Sequence, residues 1–296
     1  DMSLIPFDDR DGFIWMNGEM ISWRDAKTHT LTHALHYASQ VFEGERAYGG
    51  KIFKSREHTR RLRSSCQYLD FDLPVSDDEM DKLKDDVLKA NEIVDGYIRA
   101  FCWRGSEMMA ISAQQTKIHL AIAAWQWPSY FDPETKMKGI TLDISSWRRP
   151  SPESAPVHAK AAGLYTICTL SKHNAEKHGF QDSLMLDYRG YIAEATGANI
   201  FFLMEDGKLH TPLADCFLNG ITRQTIINII KKNGFKVFER HIEINELEDF
   251  EEQKITIFDN IEYNGINGKL FADKIKIDLT TKNVDILMDE PSKKVV

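Results

Sequence analysis

The sequence has no cysteine pair at metal-binding or redox spacing: Cys66, Cys102, Cys168 and Cys216 lie far apart, with no Cys-x-x-Cys. Such usage suits a reduced compartment and argues against a zinc site, so no metal is expected. Long apolar runs are missing too. The longest, LAIAAW at 120–125, falls well short of the ~20 residues a membrane span needs. There is no basic run, and 37 Lys+Arg against 45 Asp+Glu leave a net charge of −8, which excludes the usual nucleic-acid footprint. The opening stretch DMSLIPFDDRDG lacks the basic-then-apolar order of a secretory leader, so the expected location is cytoplasmic. Internal repeats and low-complexity stretches are likewise missing. What remains is a globular composition, 42% hydrophobic and 28% charged over 296 residues, ample for a large core. At roughly 100–200 residues per domain this length suits two domains or one large one.

Strand and helix signals alternate along the chain. FIWMNGEMISW (13–23) reads as a hairpin turning at Asn17-Gly18, and RAYGGKIFKS (46–55) repeats the device at Gly49-Gly50. A helix starts in REHTRRLRSSCQYLDF, and a second covers 76–92 with a Ser76/Glu79 capping box. Met80, Leu83, Val87 and Leu88 share one face of it. DGYIRAFCWRG and KIHLAIAAWQW read as strands. WPSYFDPETKMKG (127–139), with two prolines, is the expected linker region. We therefore expect an N-terminal domain over 1–131, a linker over 132–138 and a C-terminal domain over 139–296. In the second part GITLDISSW alternates at period two, and a helix over 164–179 stops at Gly179. Short strands break at Arg189-Gly190 and Asp206-Gly207, and a helix over 221–234 takes Thr222 as its cap and Gly234 as its stop. The fold class predicted is two-domain α/β (α+β), with the ligand site in the cleft between domains.

In APVHAKAAGLY (155–165), Lys160 sits between Ala159 and Ala161-Ala162-Gly163. Small neighbours admit a flat ligand and offer no polar group to an ammonium ion. Burial of that kind lowers a lysine pKa by up to ~3–5 units and makes a nucleophile able to form a Schiff base. Pyridoxal phosphate is the aldehyde cofactor to consider. It asks for an imine lysine, an anion facing its pyridine nitrogen and a phosphate site. Glu194, in YIAEATGANIFF beside small residues, suits the anion, although a solvated loop glutamate is the plainer reading. FLNGITRQT offers a helix start for phosphate, with Gly220 permitting close approach and Thr222 adding a hydroxyl. Arg56, Arg60, Arg61 and Arg63 supply arginines, most of them expected to be solvated helix charges.

The order HALHYASQVFEG, REHTRRL, YIR, KAAGLY, YIAEATGANIFF and NGITR resembles the class IV, fold-type IV pyridoxal-phosphate aminotransferases, and within them the branched-chain amino acid aminotransferases, from about residue 13 to about residue 250. The resemblance implies a smaller N-terminal α/β domain, a larger mixed-sheet C-terminal domain and a homodimer or higher homo-oligomer. It implies transamination of leucine, isoleucine and valine with 2-oxoglutarate, so the partners are amino acids and 2-oxo acids. By the same resemblance Lys160 is the imine lysine and proton shuttle, Tyr165 the phenol on the cofactor ring oxygen and Glu194 the carboxylate on the ring nitrogen. Arg61, Ile221 and Thr222 match the phosphate contacts. Tyr37, Phe42, Tyr97, Trp127 and Tyr130 match an aromatic side-chain pocket, although core packing would explain them equally, and Arg99 matches the reader of glutamate's distal carboxylate. D-amino acid aminotransferase and aminodeoxychorismate lyase share the fold and remain alternatives, as does a degenerate, non-catalytic cofactor-binding relative.

The pattern is broken in three places. Glu45 replaces an aliphatic residue in VFEGER, and Ala100 replaces the proline after YIR. In ITIFDNIEYNGING (255–268) Asn260 falls where the family has a phosphate-binding threonine, followed by Ile261 and Glu262 in place of alanines. Either the member is divergent here, or the sequence is wrong from about residue 251.

Overall fold

A computed structural model describes residues 5–127, 138–204 and 206–247, with the backbone of strands Lys254–Ile257, Lys274–Asp278 and Val284–Leu287. Tyr130, Asn260 and linker residues 132–137 lie outside the described residues. The chain divides into two compact units: Asp1–Ser129 with Ala155–Thr166, and Tyr130–Ser154 with Ile167–Val296.

The first unit is built on a seven-stranded sheet of β1 (Phe13–Met16), β2 (Glu19–Ser22), β3 (Gln40–Phe42), β4 (Glu45–Tyr48), β5 (Lys51–Ile52), β6 (Gly96–Arg104) and β7 (Ile118–Trp125). The path runs β2-β1-β7-β6-β4-β5, and β3 joins at the far end of β6. Both expected two-residue turns form. Asn17 and Gly18 take φ of 53° and 106°, Gly49 and Gly50 56° and 73°, so each pair carries the left-handed backbone a tight hairpin requires. Helices α1 (His33–Tyr37), α2 (Ser55–Tyr68) and α3 (Asp77–Ala90) complete the unit. Ser76 caps α3, its Oγ accepting from Glu79 N at 3.2 Å. Met80, Val87 and Leu88 are buried and Leu83 packs beside them, as the 3.6-residue spacing predicts. They meet Leu62 of α2 and Ile98 and Ile122 of the sheet in one core.

β3 and β4 both pair with β6 but are interrupted at Glu43-Gly44. Glu43 and Glu45, two residues apart on the chain, are both buried. Beneath Glu45 lies Lys84 of α3, fully buried. Its Nζ donates to Glu45 at 2.9 and 3.2 Å, to Thr59 Oγ1 at 2.9 Å and to the Ser55 carbonyl at 3.0 Å. The departure at position 45 is thus met by a cation on the apolar face of α3, on a helix where lysine ordinarily points outward.

The second unit contains β8 (Leu142–Arg149), β9 (Asp182–Asp187), β10 (Ile192–Ala195), β11 (Phe202–Leu203), β12 (Leu209–Pro212) and β13 (Val237–Arg240), with α4 (Thr166–Lys177) and α5 (Ile221–Lys232). One sheet runs β10-β9-β8 and another β11-β12-β13. β8 and β9 are parallel, with α4 between them in the chain; β12 and β13 are parallel, with α5 between them. β14 (Lys254–Ile257), β15 (Lys274–Asp278) and β16 (Val284–Leu287) form a third, antiparallel sheet. Leu184, Ile192, Phe202 and Ile242 anchor this unit's core. Asp187, Asp215 and Cys216 bring potential ligand atoms within 4.8 Å of one another, but Arg189 already bonds both carboxylates. Thr222 is not the cap of α5. Gly220 occupies that position in extended conformation and no side chain caps it; Thr222 is the second helical residue and exposed.

Candidate active site

Lys160 is held through its backbone. Its N–H donates to Ser65 Oγ of α2 at 2.9 Å, its carbonyl accepts from Phe42 N at 3.1 Å, and the next residue, Ala161, bridges Val41. Ala159 and Ala161 belong to the buried core of this unit. A short 3-10 turn at Ala162–Tyr165 brings Tyr165 back over the lysine. Lys160 Nζ donates to the Tyr165 hydroxyl at 2.8 Å. It also stands 4.8 Å from the centroid of Phe42 and 4.9 Å from that of Tyr165, two rings packed edge to face. The polar group that no sequence neighbour offered comes from five residues on.

Arg61, one helical turn after His58 on α2, donates from Nε to Glu43 Oε1 at 2.6 Å and from Nη2 to Oε2 at 2.8 Å, a two-pronged pair. His58 Nδ1 lies 2.6 Å from Glu43 Oε2. Burial alone would raise the Glu43 carboxyl; the Arg61 charge and the bonds from Arg61 and His58 outweigh it and hold the group at about 2. Burial pushes His58 below its ordinary range, against the pull of Glu43. Glu45, by contrast, is pushed up to about 8 by burial, with Lys84 opposing and Glu43 reinforcing the rise. Two carboxyls on one stretch of chain are driven in opposite directions.

Tyr97 and Arg99 share a face of β6. Arg99 Nη2 donates to the Tyr97 hydroxyl at 2.9 Å, and the guanidinium lies 4.6 Å over the Phe42 ring. Arg99 Nε is buried without a hydrogen-bond partner among the described residues. Gly44 makes room here: a Cβ on it would fall 2.1 Å from the Tyr97 hydroxyl oxygen. Trp127 lies 5.7 Å from Tyr97, ring to ring, and its carbonyl accepts from Arg46 Nη1 at 2.9 Å. The structure thus brings Lys160, Tyr165, Phe42, Arg99, Tyr97 and Trp127 into one connected set. Tyr37 stands outside it, 43% exposed and stacked on His33 at 4.5 Å.

In the second unit, Glu194 is buried on β10, just after a register shift against β9. Its Oε1 lies 3.3 Å from Arg149 Nε, and its Oε2 accepts from Asn199 Nδ2 at 3.0 Å. Arg149, itself buried, also donates from Nη1 to Cys168 Sγ at 3.4 Å. Ahead of α5 the turn Leu218–Gly220 is held from one side by Asn199 and from the other by Arg223, whose Nη1 donates to Asn219 Oδ1 at 2.9 Å and Nη2 to the Pro212 carbonyl at 2.9 Å. Ile221 and Thr222 follow, offering N–H groups at the positive end of a helix dipole.

Glu43, His58, Arg149, Asn199 and Arg223 escaped the sequence reading. A charged residue directly after the apolar pair Val41-Phe42 was the available signal for Glu43. His58 and Arg149 find their partners farther off along the chain, in Glu43 and Glu194.

The family model described as amino-transferase class IV matches residues 40–256. The chain is 45% identical over 249 residues to the probable branched-chain-amino-acid aminotransferase of Rickettsia conorii, covering 84% of each chain. To the branched-chain-amino-acid aminotransferase of Pseudomonas aeruginosa it is 40% identical over 243 residues, covering 81% of this chain and 79% of the relative. The crystal structure of the Escherichia coli branched-chain amino acid aminotransferase superposes with a TM-score of 0.79 at 34% identity, covering 89% of this chain and 86% of that one. That of an aminotransferase from Brucella abortus bound to the cofactor PLP gives 0.72 at 29% identity, covering 89% and 90%.

Proposed function

This chain belongs to the class IV aminotransferases and shares their solved fold, and we propose that it transfers the amino group of leucine, isoleucine or valine to 2-oxoglutarate with pyridoxal phosphate as cofactor. The observation that carries the reading is the 2.8 Å bond from Lys160 Nζ to the Tyr165 hydroxyl beside the Phe42 ring. A primary amine ordered by a phenol and flanked by aromatic faces suits an aldehyde on a flat ring.

The remaining donors fit the other parts of that cofactor. Glu194, buried and paired with Arg149, is an anion suited to a pyridinium nitrogen. Arg61 keeps Nη1 clear of Glu43, and α5 opens with uncapped N–H groups at Ile221 and Thr222, both suited to phosphate. Pyridoxal phosphate, when bound, supplies an electron-withdrawing ring that stabilises negative charge at the substrate α-carbon. Lys160 anchors the cofactor at rest. With the substrate amine in its place, its Nζ would carry the α-proton across to the cofactor side, work of the kind worth ~10²–10⁴-fold. Tyr165 holds Nζ in place throughout. Phe42 and Tyr97 give an apolar wall for a branched side chain, and Trp127 extends it. Arg99, with Nε buried and unpaired among the described residues, suits the distal carboxylate of glutamate, and Tyr97 orients it through Nη2.

The reading includes a homodimer or higher homo-oligomer in the cytoplasm. Leu31, Leu35 and Ile111 are exposed apolar side chains that a subunit contact would cover, and no helix among the described residues is long and apolar enough to cross a membrane. The test is 2-oxoglutarate-dependent consumption of leucine, with light scattering for the oligomer. Lys160→Ala should abolish transamination and keep the fold. Pyruvate release from aminodeoxychorismate without leucine turnover would overturn the reading.

A further inference from the structure

Asn199 lies between two groups to which the proposed function gives separate tasks. Its Nδ2 donates to Glu194 Oε2 at 3.0 Å and to the Leu218 carbonyl at 3.1 Å, while its Oδ1 accepts from Gly220 N at 3.1 Å. That distribution admits one amide orientation. The carboxylate and the carbonyl are acceptors and require the NH₂; the Gly220 N–H is a donor and requires the oxygen. Gly220 has an ordinary negative φ of −60°, so backbone freedom does not explain the glycine. Space does: a Cβ there would lie 2.2 Å from Asn199 Oδ1. The close approach of amide and turn is therefore built into two residue types.

We propose that Asn199 is a positioning residue that fixes the anion-binding turn Leu218–Thr222 at a set distance from Glu194, so that the two ends of one cofactor are held in register. The inference rests on the pyridoxal-phosphate reading above. A ligand with both a ring nitrogen and a phosphate gains from the fixed spacing; a ligand with only the ring does not. The phosphate advantage, the ratio of the pyridoxal dissociation constant to that of pyridoxal phosphate, therefore depends on Asn199. Arg223 holds Asn219 and Pro212 from the opposite side, so the turn stays formed when Asn199 is shortened.

The experiment titrates the full chain, stripped of cofactor, with pyridoxal phosphate and with pyridoxal, following absorbance, for the native protein, Asn199→Ala, Asn199→Ser and Gly220→Ala. Far-UV circular dichroism checks the fold of each. Asn199→Ala is expected to lower the phosphate advantage about tenfold or more, the scale of its two lost hydrogen bonds to the turn, while pyridoxal alone binds within about threefold of native. Asn199→Ser, which keeps one donor-acceptor group, should fall between. Gly220→Ala drives the amide off the turn from the turn's own side and should lower the advantage in the same way, so the proposal stays testable if an Asn199 variant fails to fold. Equal weakening of both ligands, or an unchanged ratio in Gly220→Ala, overturns the inference and leaves the cofactor reading standing. A native chain that binds no pyridoxal phosphate overturns both.

Discussion

Replacing Lys84 by methionine should destabilise this protein more than almost any single change on α3. The Lys84 ammonium ion spends its protons on Glu45, Thr59 and Ser55, inside a region where neither it nor Glu45 meets solvent. Methionine fills most of the same volume, so the change is chiefly electrostatic. It leaves a buried carboxyl with the negative charge of Glu43 close by and no cation against it. Breaking a buried pair from one side costs about 3–5 kcal/mol, a large part of the ~5–15 kcal/mol that holds a domain together. The pH dependence follows from the position of Glu45 at about 8. Lys84 pulls that position down, so without it the carboxyl rises further. At about pH 6 it is protonated with or without the lysine and much of the penalty is relieved, whereas at about pH 9, above the native position, the loss relative to native is larger. Glu45→Leu combined with Lys84→Met removes both charges and should return stability to within about 1 kcal/mol of native. The assay is urea unfolding followed by tryptophan fluorescence at both pH values. A single-variant loss under about 1 kcal/mol, a loss equal at both pH values, or a double variant as weak as the single would refute the reasoning.

Gly44→Ala places a Cβ where the Tyr97 hydroxyl lies, so the Arg99–Tyr97 bond must break; the KM for 2-oxoglutarate should rise about tenfold, the scale of one such bond, with leucine affected less, and equal effects on both would refute it. Glu43 lies at about 2 in the fold against 4.5 when unfolded, so its stabilisation is present above about pH 4.5 and is lost as pH falls toward 2. Glu43→Gln should therefore flatten the acid limb of a Tm-against-pH curve, and an unchanged acid limb would count against the pairing. Glu45 has the opposite sign: raised to about 8 from 4.5, its contribution is present below about pH 4.5 and is lost as pH rises through 8. Glu45→Gln should remove a decline on the alkaline side, and a decline that persists would sink this assignment.

Local rules were enough for the hairpin turns, the helix spans and the Ser76 cap, because each depends on residues within about four positions of one another. They failed at Thr222, where a preference for hydroxyl caps was overridden by the need for a residue without a Cβ beside Asn199. They failed also for Lys84, since the helix pattern records which face is inward but not that a charge can sit on it once a partner arrives from β4. At the candidate site the sequence disclosed the lysine, the phenol and the acid as members of an ordered set of motifs. What orders each of them came from elsewhere: Ser65 for Lys160, Glu43 and His58 for Arg61, Arg149 and Asn199 for Glu194.

The amino-acid order alone therefore settled the long helices and the two hairpin turns of the first unit, the absence of paired cysteines and long apolar runs, and the family. The tertiary structure alone decided which charges are compensated. Ala155–Thr166, distant in sequence from the N-terminal sheet, packs with it, so that Lys160 meets Phe42 and α2. Hydrogen bonds and ion pairs act over a few ångströms, and the groups they join here are separated by as many as 118 residues along the chain, between Phe42 and Lys160, a pairing no local pattern encodes.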